Sequence, residues 1–485
     1  MNVVTVFVDT LRYDHVAANR GAVDVRTPNL DRLAERSRRF HRAFAASFPT
    51  VPHRTDVMTG RYGAPFHPWA PLDCDVPTLP RRLADEGYVT QLIHDTPHLV
   101  NGGHRFDYPF HAWTPVRGGE VDRAWVTDSL GFLDNWAFDE AFDAYPRDEE
   151  AVLREGHTLA RYAHTNSGRS DESEWNAARL FRTAADFLRD NADRDDFFLW
   201  LDCFDPHEPW DAPREYVREY AGGDGTVDPR SFLGYVRDDP DLPEEARAQV
   251  RAAYRAKVTF VDRWFGHFLD ALEETGLADD TAVLLLGDHG TNVGRTERGF
   301  GKEAPPGQGE AHVPLFLSVP GDDGGDCDAV VQPQDVFETV MELAGGSAPG
   351  GVESHDLLAA AREGTRPRDV ALTGTVVDGW AEADAGTHLC HATDGEWSLE
   401  VAADPAASTL RRLGEREAVG DDRPAVREEL WAAAVDELAG RGLDDALVSW
   451  LRDEGAGDPP EAYRATDAHG APPGWETYWQ VPFEG

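Results

Sequence analysis

The chain opens with NVVTVFVDT (residues 2–10), a run of apolar and β-branched residues that ends in an aspartate. A continuous apolar run of this kind is typical of a strand covered on both faces, as in a parallel sheet. Three later runs have the same character: DFFLWLDCF (196–204), AVLLLG (282–287) and VPLFLSV (313–319). Amphipathic helical patterns separate them, and the clearest covers Arg251–Glu274. The alternation predicts an α/β fold, an open sheet with helices on both sides, in which ligands bind beyond the carboxyl ends of the strands.

A change in composition at Gly345–Glu353, where glycine and proline break any regular pattern, divides the chain. We predict a larger unit over residues 1–350 and a smaller α+β subdomain over 351–485. Residues Tyr108–Ser170 have weak periodicity and many Trp, Gly, Pro and Asp residues, so we expect a long excursion near the strand ends that shapes selectivity through Trp113, Trp125 and Trp136. The remaining predicted helices are Thr27–Phe44, Pro77–Glu86, Glu174–Asp190 and Pro424–Gly440, and the remaining strand-like pieces are Asp369–Val377 and Glu396–Ala402.

The net charge of the chain excludes some classes of function. Its 485 residues include 46 basic and 89 acidic side chains, which gives a net charge of −43. Such a field repels phosphate backbones and anionic lipid, so we expect neither nucleic-acid nor membrane binding. No apolar stretch reaches the roughly 20 residues of a membrane span, and neither a signal sequence nor a CxxC pair is present. We therefore expect a cytoplasmic protein.

The basic residues are almost all arginines, since Lys257 and Lys302 are the only lysines. Acidic excess with little lysine favours a surface adapted to high salt, where repulsion is screened. The alternative is a GC-rich coding bias that replaces lysine with arginine. Lys257 lies within the amphipathic pattern and is expected to be structural.

Acidic and histidine side chains follow two of the predicted strands. Asp9 ends the first strand, and Asp288 and His289 end AVLLLG. Two carboxylates and an imidazole at one place suit Ca²⁺, Mg²⁺, Mn²⁺ or Zn²⁺. Taken alone, Asp9 is also compatible with an ordinary helix cap.

The segment SFPTVPHRTDVMTG (47–60) places Thr50 close to a predicted helix N-terminus. Backbone N–H groups and the helix dipole there favour an anion, including a nucleophilic or bound oxygen. Arg54, one turn later, is in reach of that oxygen or of a substrate. The competing interpretation is that Thr50 is a simple N-cap.

Four segments in order, NVVTVFVDTLRYDH, FPTVPHRTDVMTGRY, DPHEPW and LLLGDHG, resemble the sulfatase branch of the alkaline phosphatase superfamily. The segments GFGKEAPPGQGEAHVPLFLSVPG and VQPQDVFETVMELAG extend the resemblance from Asn2 to about Gly345. It implies an alkaline phosphatase-like three-layer sandwich with a mixed, mostly parallel sheet, plus a smaller C-terminal α+β subdomain. It also implies a metal-dependent ester hydrolase.

The resemblance assigns the metal site and the nucleophile. Asp9, Asp288 and His289 fall on ligands of one divalent ion, and Thr50 falls on the nucleophile, which also contacts the ion. Arg54 falls on the arginine of the family's C-x-P-x-R pattern.

It also assigns groups that contact the substrate. His207 falls on a histidine at the transferred group or leaving oxygen, and Lys302 on a lysine that binds the anionic oxygens. His98 falls near a substrate-binding histidine, with an ordinary surface histidine as the equal alternative. Thr96 stands where sulfatases have a lysine, which suits a less negative substrate centre such as a diester.

Other departures bear on the reaction. Sulfatases convert a Cys or Ser at the nucleophile position into formylglycine, and Thr50 cannot become that aldehyde because its β-carbon bears a methyl group. We therefore expect an alkoxide, formed with the help of the metal, that makes a covalent ester. One carboxylate of the usual pair is replaced by Thr10. A second metal site is not evident, and His312 and Asp205 are only weak candidates for it.

These patterns predict a metal-dependent hydrolase of phosphate or phosphonate esters, acting on a small anionic substrate. In the expected mechanism Arg54 and Lys302 counter the charge of the transition state and His207 protonates the leaving oxygen. The alternatives are a sulfuric-ester hydrolase that works without formylglycine, a mutase or phosphotransferase, and a non-catalytic anion-binding protein.

Overall fold

The computed structural model describes residues 1–100, 103–119, 122, 162, 165–166, 168–221, 244–294, 299–377, 380, 383–419 and 422–456. Within these ranges the strands are β1 (Asn2–Val8), β2 (Arg38–Ala43), β3 (Val89–His94), β4 (Ala112–Pro115), β5 (Phe197–Cys203), β6 (Thr281–Gly287), β7 (Asn292–Val293), β8 (Phe300–Gly301), β9 (Leu315–Ser318), β10 (Gly325–Val331), β11 (Ala371–Thr373), β12 (His388–Thr393), β13 (Trp397–Ala402) and β14 (Thr409–Arg412). The α-helices in the same ranges are α1 (Pro28–Glu35), α2 (Thr50–Thr59), α3 (Leu79–Asp85), α4 (Asn176–Asp190), α5 (Arg214–Ala221), α6 (Glu244–Glu274), α7 (Gln308–Ala311), α8 (Asp335–Leu343), α9 (Leu357–Glu363), α10 (Pro424–Gly440) and α11 (Asp445–Arg452).

The first strand lies in the middle of a mixed, mostly parallel sheet of eight strands. Their order is β10-β2-β9-β6-β1-β5-β3-β4. β1 pairs in parallel with β5 on one side and with β6 on the other. Because the three strands run the same way, their carboxyl ends meet at one edge of the sheet. This edge is where the sequence predicts a ligand site.

Helices cover both faces of this sheet, as the continuous apolar strands require. Val4, Val6 and Val8 point into a core with α1, α4, α5 and α6. Val3 and Phe7 point to the opposite side, into a core with α2, α3, α8 and α9. The predicted α/β class and alkaline phosphatase-like layers are confirmed.

A smaller antiparallel sheet, β11-β12-β13-β14, lies in the C-terminal part of the chain. Its own core is formed with α10 and α11. Helix α9 precedes it and packs through Leu357 and Leu358 into the core of the large sheet. The division of the chain at residue 350 stays a prediction.

The helix predicted over Thr27–Phe44 is wrong in its second half. The helix ends at Glu35, and Arg38–Ala43 forms strand β2 between β10 and β9. Tertiary pairing overrides the weak helical preference of RRFHRA. The run VPLFLSV forms a buried strand as predicted, but β9 pairs antiparallel with both of its neighbours, β6 and β2.

Several other predicted elements are present, some with different bounds. The α6 helix begins at Glu244, before the predicted start at Arg251, and α10 has its predicted bounds. Most of the predicted Trp-rich excursion, including Trp125 and Trp136, lies outside the described residues. Trp113 is on the edge strand β4, where it is 44% exposed.

Candidate active site

Two adjacent parallel strands deliver the acidic and histidine side chains to one point. Asp9 follows β1, and Asp288 and His289 follow β6. All three are fully buried, and one ligand atom from each lies within 4.8 Å of the others. Among the described residues this is the one group of three such side chains with that spacing.

Hydrogen bonds to the backbone fix the direction of these side chains. The Nδ1 atom of His289 lies 2.8 Å from the backbone oxygen of Gly290, which assigns the proton to Nδ1 and leaves the Nε2 lone pair free to bind a cation. Nε2 is 3.5 Å from Asp288 Oδ2 and 3.8 Å from Asp9 Oδ1. The imidazole therefore faces the two carboxylates.

Thr10 holds both carboxylates from a left-handed backbone conformation, with φ of 63°. This conformation is unusual for a β-branched residue and is typical of functional sites. The N–H of Thr10 donates to Asp288 Oδ1 at 2.8 Å, and its hydroxyl donates to Asp9 Oδ1 at 2.7 Å. Thr10 thus orients the two carboxylates.

Thr50 lies beside this group at the first residue of α2. Its side chain is buried, and Oγ1 is 3.4 Å from His289 Nε2. The hydroxyl and the Asp-His couplet, 239 residues apart in sequence, therefore lie at one place in the fold. Their roles as nucleophile and ligands stay predictions.

Arg54 contacts three carboxylates, those of Asp9, Asp202 and Asp288. Its Nη1 lies 3.2 Å from Asp9 Oδ2 and donates to Asp288 Oδ2. Its Nε and Nη2 form a two-pronged contact with Asp202 at 3.1 and 2.8 Å. Asp202 was not predicted, although an aspartate within the apolar run of β5 is a signal that could have been used. The guanidinium is fully buried, and its ion pairs are with these three carboxylates.

The electrostatics of the carboxylate pair fit a bound cation. Burial, followed by the charge of Asp288, raises the pKa of Asp9 to about 7. Burial also disfavours the charge of Asp288, but the Arg54 guanidinium holds its pKa below the usual range. Burial lowers the pKa of His289 to about 4, so the ring is neutral and can bind a metal. The buried Asp9 Oδ2 has no hydrogen bond despite its proximity to Arg54, and hard oxygen donors beside an imidazole fit a divalent ion.

His207 and Lys302 lie side by side, close enough to Asp9 for their charges to lower its pKa against the effect of burial. Lys302 Nζ is 2.8 Å from His207 Nε2, and His207 Nδ1 is 2.8 Å from the backbone oxygen of Glu208. Lys302 Nζ also donates to Glu208 Oε2 at 2.5 Å. Sequence reasoning missed Glu208, whose only signal is its place next to His207 in DPHEPW. Burial disfavours its charge, but Lys302 and then His207 lower the pKa of Glu208 to about 2.

Thr96 contacts Asp202, and His98 follows Thr96 two residues later. The Thr96 hydroxyl donates to Asp202 Oδ1 at 2.6 Å, so it supports the partner of Arg54. His98 is buried between Trp69 and Phe204, which contradicts the surface alternative. Burial, followed by the charge of His207, holds the pKa of His98 well below its ordinary value.

The weak candidates for a second metal site do not form one among the described residues. His312 stacks on Tyr13 with ring centres 3.8 Å apart, and its Nε2 lies 3.0 Å from the backbone oxygen of His41. Asp205 instead forms a buried ion pair with Lys257 at 3.0 Å.

Within the described part of the chain, none of the helices combines the length and the apolar character that a bilayer crossing needs.

Comparison with known proteins gives consistent matches. A family model described as Sulfatase matches residues 1–347. Choline-sulfatase of Rhizobium meliloti is 26% identical over 374 residues, covering 71% of this chain and 67% of its own. The multifunctional alkaline phosphatase superfamily protein PehA of Trinickia caryophylli is 25% identical over 415 residues, covering 76% and 78%.

Among solved structures, the phosphonate monoester hydrolase of Agrobacterium radiobacter superposes with a TM-score of 0.65. It is 22% identical, and the match covers 92% of this chain and 97% of that one. At this identity the likeness supports the fold.

Proposed function

This chain belongs to the sulfatase family, and we propose that it is a metal-dependent hydrolase of phosphate or phosphonate esters with the Thr50 hydroxyl as nucleophile. The observation that carries the proposal is the position of Thr50 Oγ1, at a helix N-terminus and 3.4 Å from His289 Nε2. A threonine cannot be converted into formylglycine, because its β-carbon bears a methyl group. The alcohol oxygen itself is therefore the nucleophile in this proposal.

Asp9, Asp288 and His289 would hold one divalent ion, with Ca²⁺, Mg²⁺, Mn²⁺ and Zn²⁺ all compatible with the donor set. Such an ion supplies Lewis-acid chemistry that lowers the pKa of a nearby hydroxyl and polarises an ester oxygen. Arg54 contacts both carboxylates, its charge opposes the effect of burial on the pKa of each, and Asp202 fixes Arg54. We assign Arg54 to this support of the site rather than to direct contact with the substrate.

The reaction proceeds in two displacements. Thr50 Oγ1, after losing its proton to solvent, forms a bond to phosphorus while the bond to the departing oxygen breaks. The Lys302–His207 pair gives that oxygen a proton. A water then attacks phosphorus and gives one proton to the pair, while the bond to Thr50 Oγ1 breaks and that oxygen takes back a proton from solvent. One ester and one water thus become one acid and one alcohol.

The experiment compares two threonines of helix α2. Thr50→Ala should lower kcat by at least about 1,000-fold because the covalent path is lost. Thr55→Ala is the matched control, since the Thr55 hydroxyl donates only to the Val51 backbone oxygen at 3.1 Å and should leave kcat nearly unchanged. The substrates are nitrophenyl phosphate, bis-nitrophenyl phosphate, a phenylphosphonate ester and nitrophenyl sulfate, each assayed with the four metals at high salt.

Intact-mass analysis of wild type with a slow substrate should show a phosphoryl or phosphonyl adduct that maps to Thr50. Metal analysis should find the same ion content in wild type and in Thr50→Ala. Full activity of Thr50→Ala would contradict the proposal.

A sulfuric-ester hydrolase that needs no formylglycine is the second candidate, favoured by the choline-sulfatase relative. Preferential turnover of the sulfate ester in the same panel would select it. Tight anion binding without turnover of any ester would select a non-catalytic protein.

A further inference from the structure

The only two lysines of the chain both bind the loop that carries His207, residues 205–211. Lys257, from α6, contacts Asp205 Oδ1 at 3.0 Å and Asp211 Oδ1 at 2.5 Å. Lys302 contacts Glu208 Oε2 at 2.5 Å. Lys257 is almost fully buried among these groups, so its two ion pairs hold the loop against α6. Lys302 keeps 17% of its side chain exposed, and its Nζ also lies 2.8 Å from His207 Nε2.

Glu208 is an unusual neighbour for a lysine expected to bind an anion. Its side chain is fully buried and also accepts a hydrogen bond from the Thr291 hydroxyl at 3.1 Å. Thr291 lies two residues after His289, so Glu208 is tied to the loop that carries the candidate ligands. A carboxylate held this close cancels most of the field of the ammonium group.

The other charges of the site are cancelled in the same way. Arg54 is paired with Asp202. Asp9 and Asp288 would balance one divalent ion. With Lys302 paired to Glu208, no uncompensated positive charge is left among these groups. In a site of this kind, the second negative charge of a dianion adds less to the binding free energy than it would beside a lysine without a carboxylate partner.

We propose that Glu208 sets the charge selectivity of the site: by neutralising Lys302 it favours monoanionic esters, such as diesters and phosphonate monoesters, over dianionic phosphate monoesters. The inference rests on the proposed function, because it concerns which ester that site accepts. Glu208 acts through Lys302 and is therefore a positioning residue.

The test measures binding in the full chain, with Thr50→Ala as background so that no turnover occurs. The two probes share a phenyl leaving group: phenyl phosphate, a dianion at about pH 8, and phenyl methylphosphonate, a monoanion. Calorimetry at one fixed KCl concentration, with the same divalent metal present throughout, gives the ratio of the two dissociation constants.

Adding Glu208→Gln should shift this ratio about tenfold toward the dianion, because Lys302 is then unpaired. Adding Lys302→Met should shift it in the opposite direction, because Glu208 is then unpaired. The double variant, which lacks both charges, should return to within about threefold of the background ratio. Glu274→Gln, which removes the same charge from a side chain that is 65% exposed, is the control for net charge and should leave the ratio unchanged.

Shifts in the same direction for both single variants, or no shift in either, would overturn the proposal, as would a background protein that binds neither probe. Glu208→Asp keeps the charge and should keep the background ratio, which separates the charge of this residue from its shape. Failure of the proposed function appears separately, as absence of ester turnover by wild type.

Discussion

The side chain of Asp56 is completely buried. It lies on α2, where its Oδ2 accepts the N–H of Ser47 at 2.7 Å and its Oδ1 contacts the Ser47 hydroxyl at 2.9 Å. Burial raises its pKa to about 8, although the bonds from Ser47 oppose this shift. The carboxyl is therefore protonated in the folded protein at neutral pH, whereas in the unfolded chain it ionises near its ordinary value.

The raised pKa of Asp56 predicts a pH dependence of stability with a definite sign. Its contribution is fully present below about pH 4 and is lost as the pH rises toward about 8, at about 1.4 kcal/mol per pH unit, because the unfolded chain releases a proton that the folded one retains. Asp56→Asn, which resembles the protonated acid, removes this penalty. The Tm of the variant minus that of wild type should therefore increase by about 3 °C or more from about pH 5 to about pH 8.

Differential scanning fluorimetry across that pH range measures the two Tm values. Asp85→Asn removes the same formal charge from an exposed side chain and provides the reference for charge alone. A difference for Asp56→Asn that stays flat or declines with pH would contradict the assignment.

The sequence was sufficient to locate the candidate site residues that end a strand or begin a helix. Asp9 and the Asp288-His289 couplet meet because β1 and β6 are adjacent and parallel. Asp202 and Glu208 could not be found in this way, since each contacts partners far away in sequence. Arg54 was expected at the substrate, but three carboxylates surround it, an arrangement that no local pattern encodes.

At the scale of elements, helix α1 depends on a neighbouring helix for its first turn. Thr27, at its N-cap, makes no side-chain capping bond. Asp262 of α6 caps the helix instead. Its Oδ1 accepts hydrogen bonds from the backbone N–H groups of Leu30 at 2.7 Å and Asn29 at 3.0 Å. The apolar pattern could predict that α1 and α6 exist, but this contact between them spans more than 230 residues and leaves no local signal.

Asp262→Ala should lower the free energy of unfolding by about 1–3 kcal/mol, because it leaves buried N–H groups of α1 without an acceptor. Asp270→Ala, two turns later on the same helix, removes a half-exposed ion pair with Arg32 and should cost less than about 1 kcal/mol. Urea titrations of both variants and wild type measure the difference. Equal losses in the two variants would show that the capping contact is not the source of the stability.

Strand β2 illustrates why element types were misjudged. RRFHRA offers only Phe40 and Ala43 as buried apolar residues, and charged side chains make up most of the rest. Its arginines form ion pairs with residues on or just before the neighbouring strand β10. Arg38 contacts Asp322 at 2.7 Å, and Arg39 contacts Asp326 at 2.8 Å. A charged strand stabilised by pairs with distant segments cannot be distinguished from a helix end by periodicity alone.

At the scale of the whole molecule, the order of apolar runs was enough to predict the α/β layers but not the direction of each strand. β9 is as buried as its neighbours, yet it runs antiparallel to them. Burial on both faces selects apolar residues for either direction, so the run VPLFLSV carries no information on orientation.

The net charge of −43 is the other property of the whole molecule, and it predicts that salt stabilises the fold. The unfolded chain spreads these charges apart, whereas the folded one concentrates them, so screening favours the folded state. The Debye length falls from about 8 Å at 0.15 M to about 3 Å at 1 M, so Tm should rise steeply over that range of KCl and continue to rise toward about 2 M if the surface is adapted to high salt.

Sucrose, which is excluded from protein surfaces but screens no charge, is the control at matched osmolality, and it should give the smaller rise in Tm below 1 M. A Tm that is flat or falls with KCl would contradict the halophilic interpretation and leave coding bias as the explanation for the scarcity of lysine.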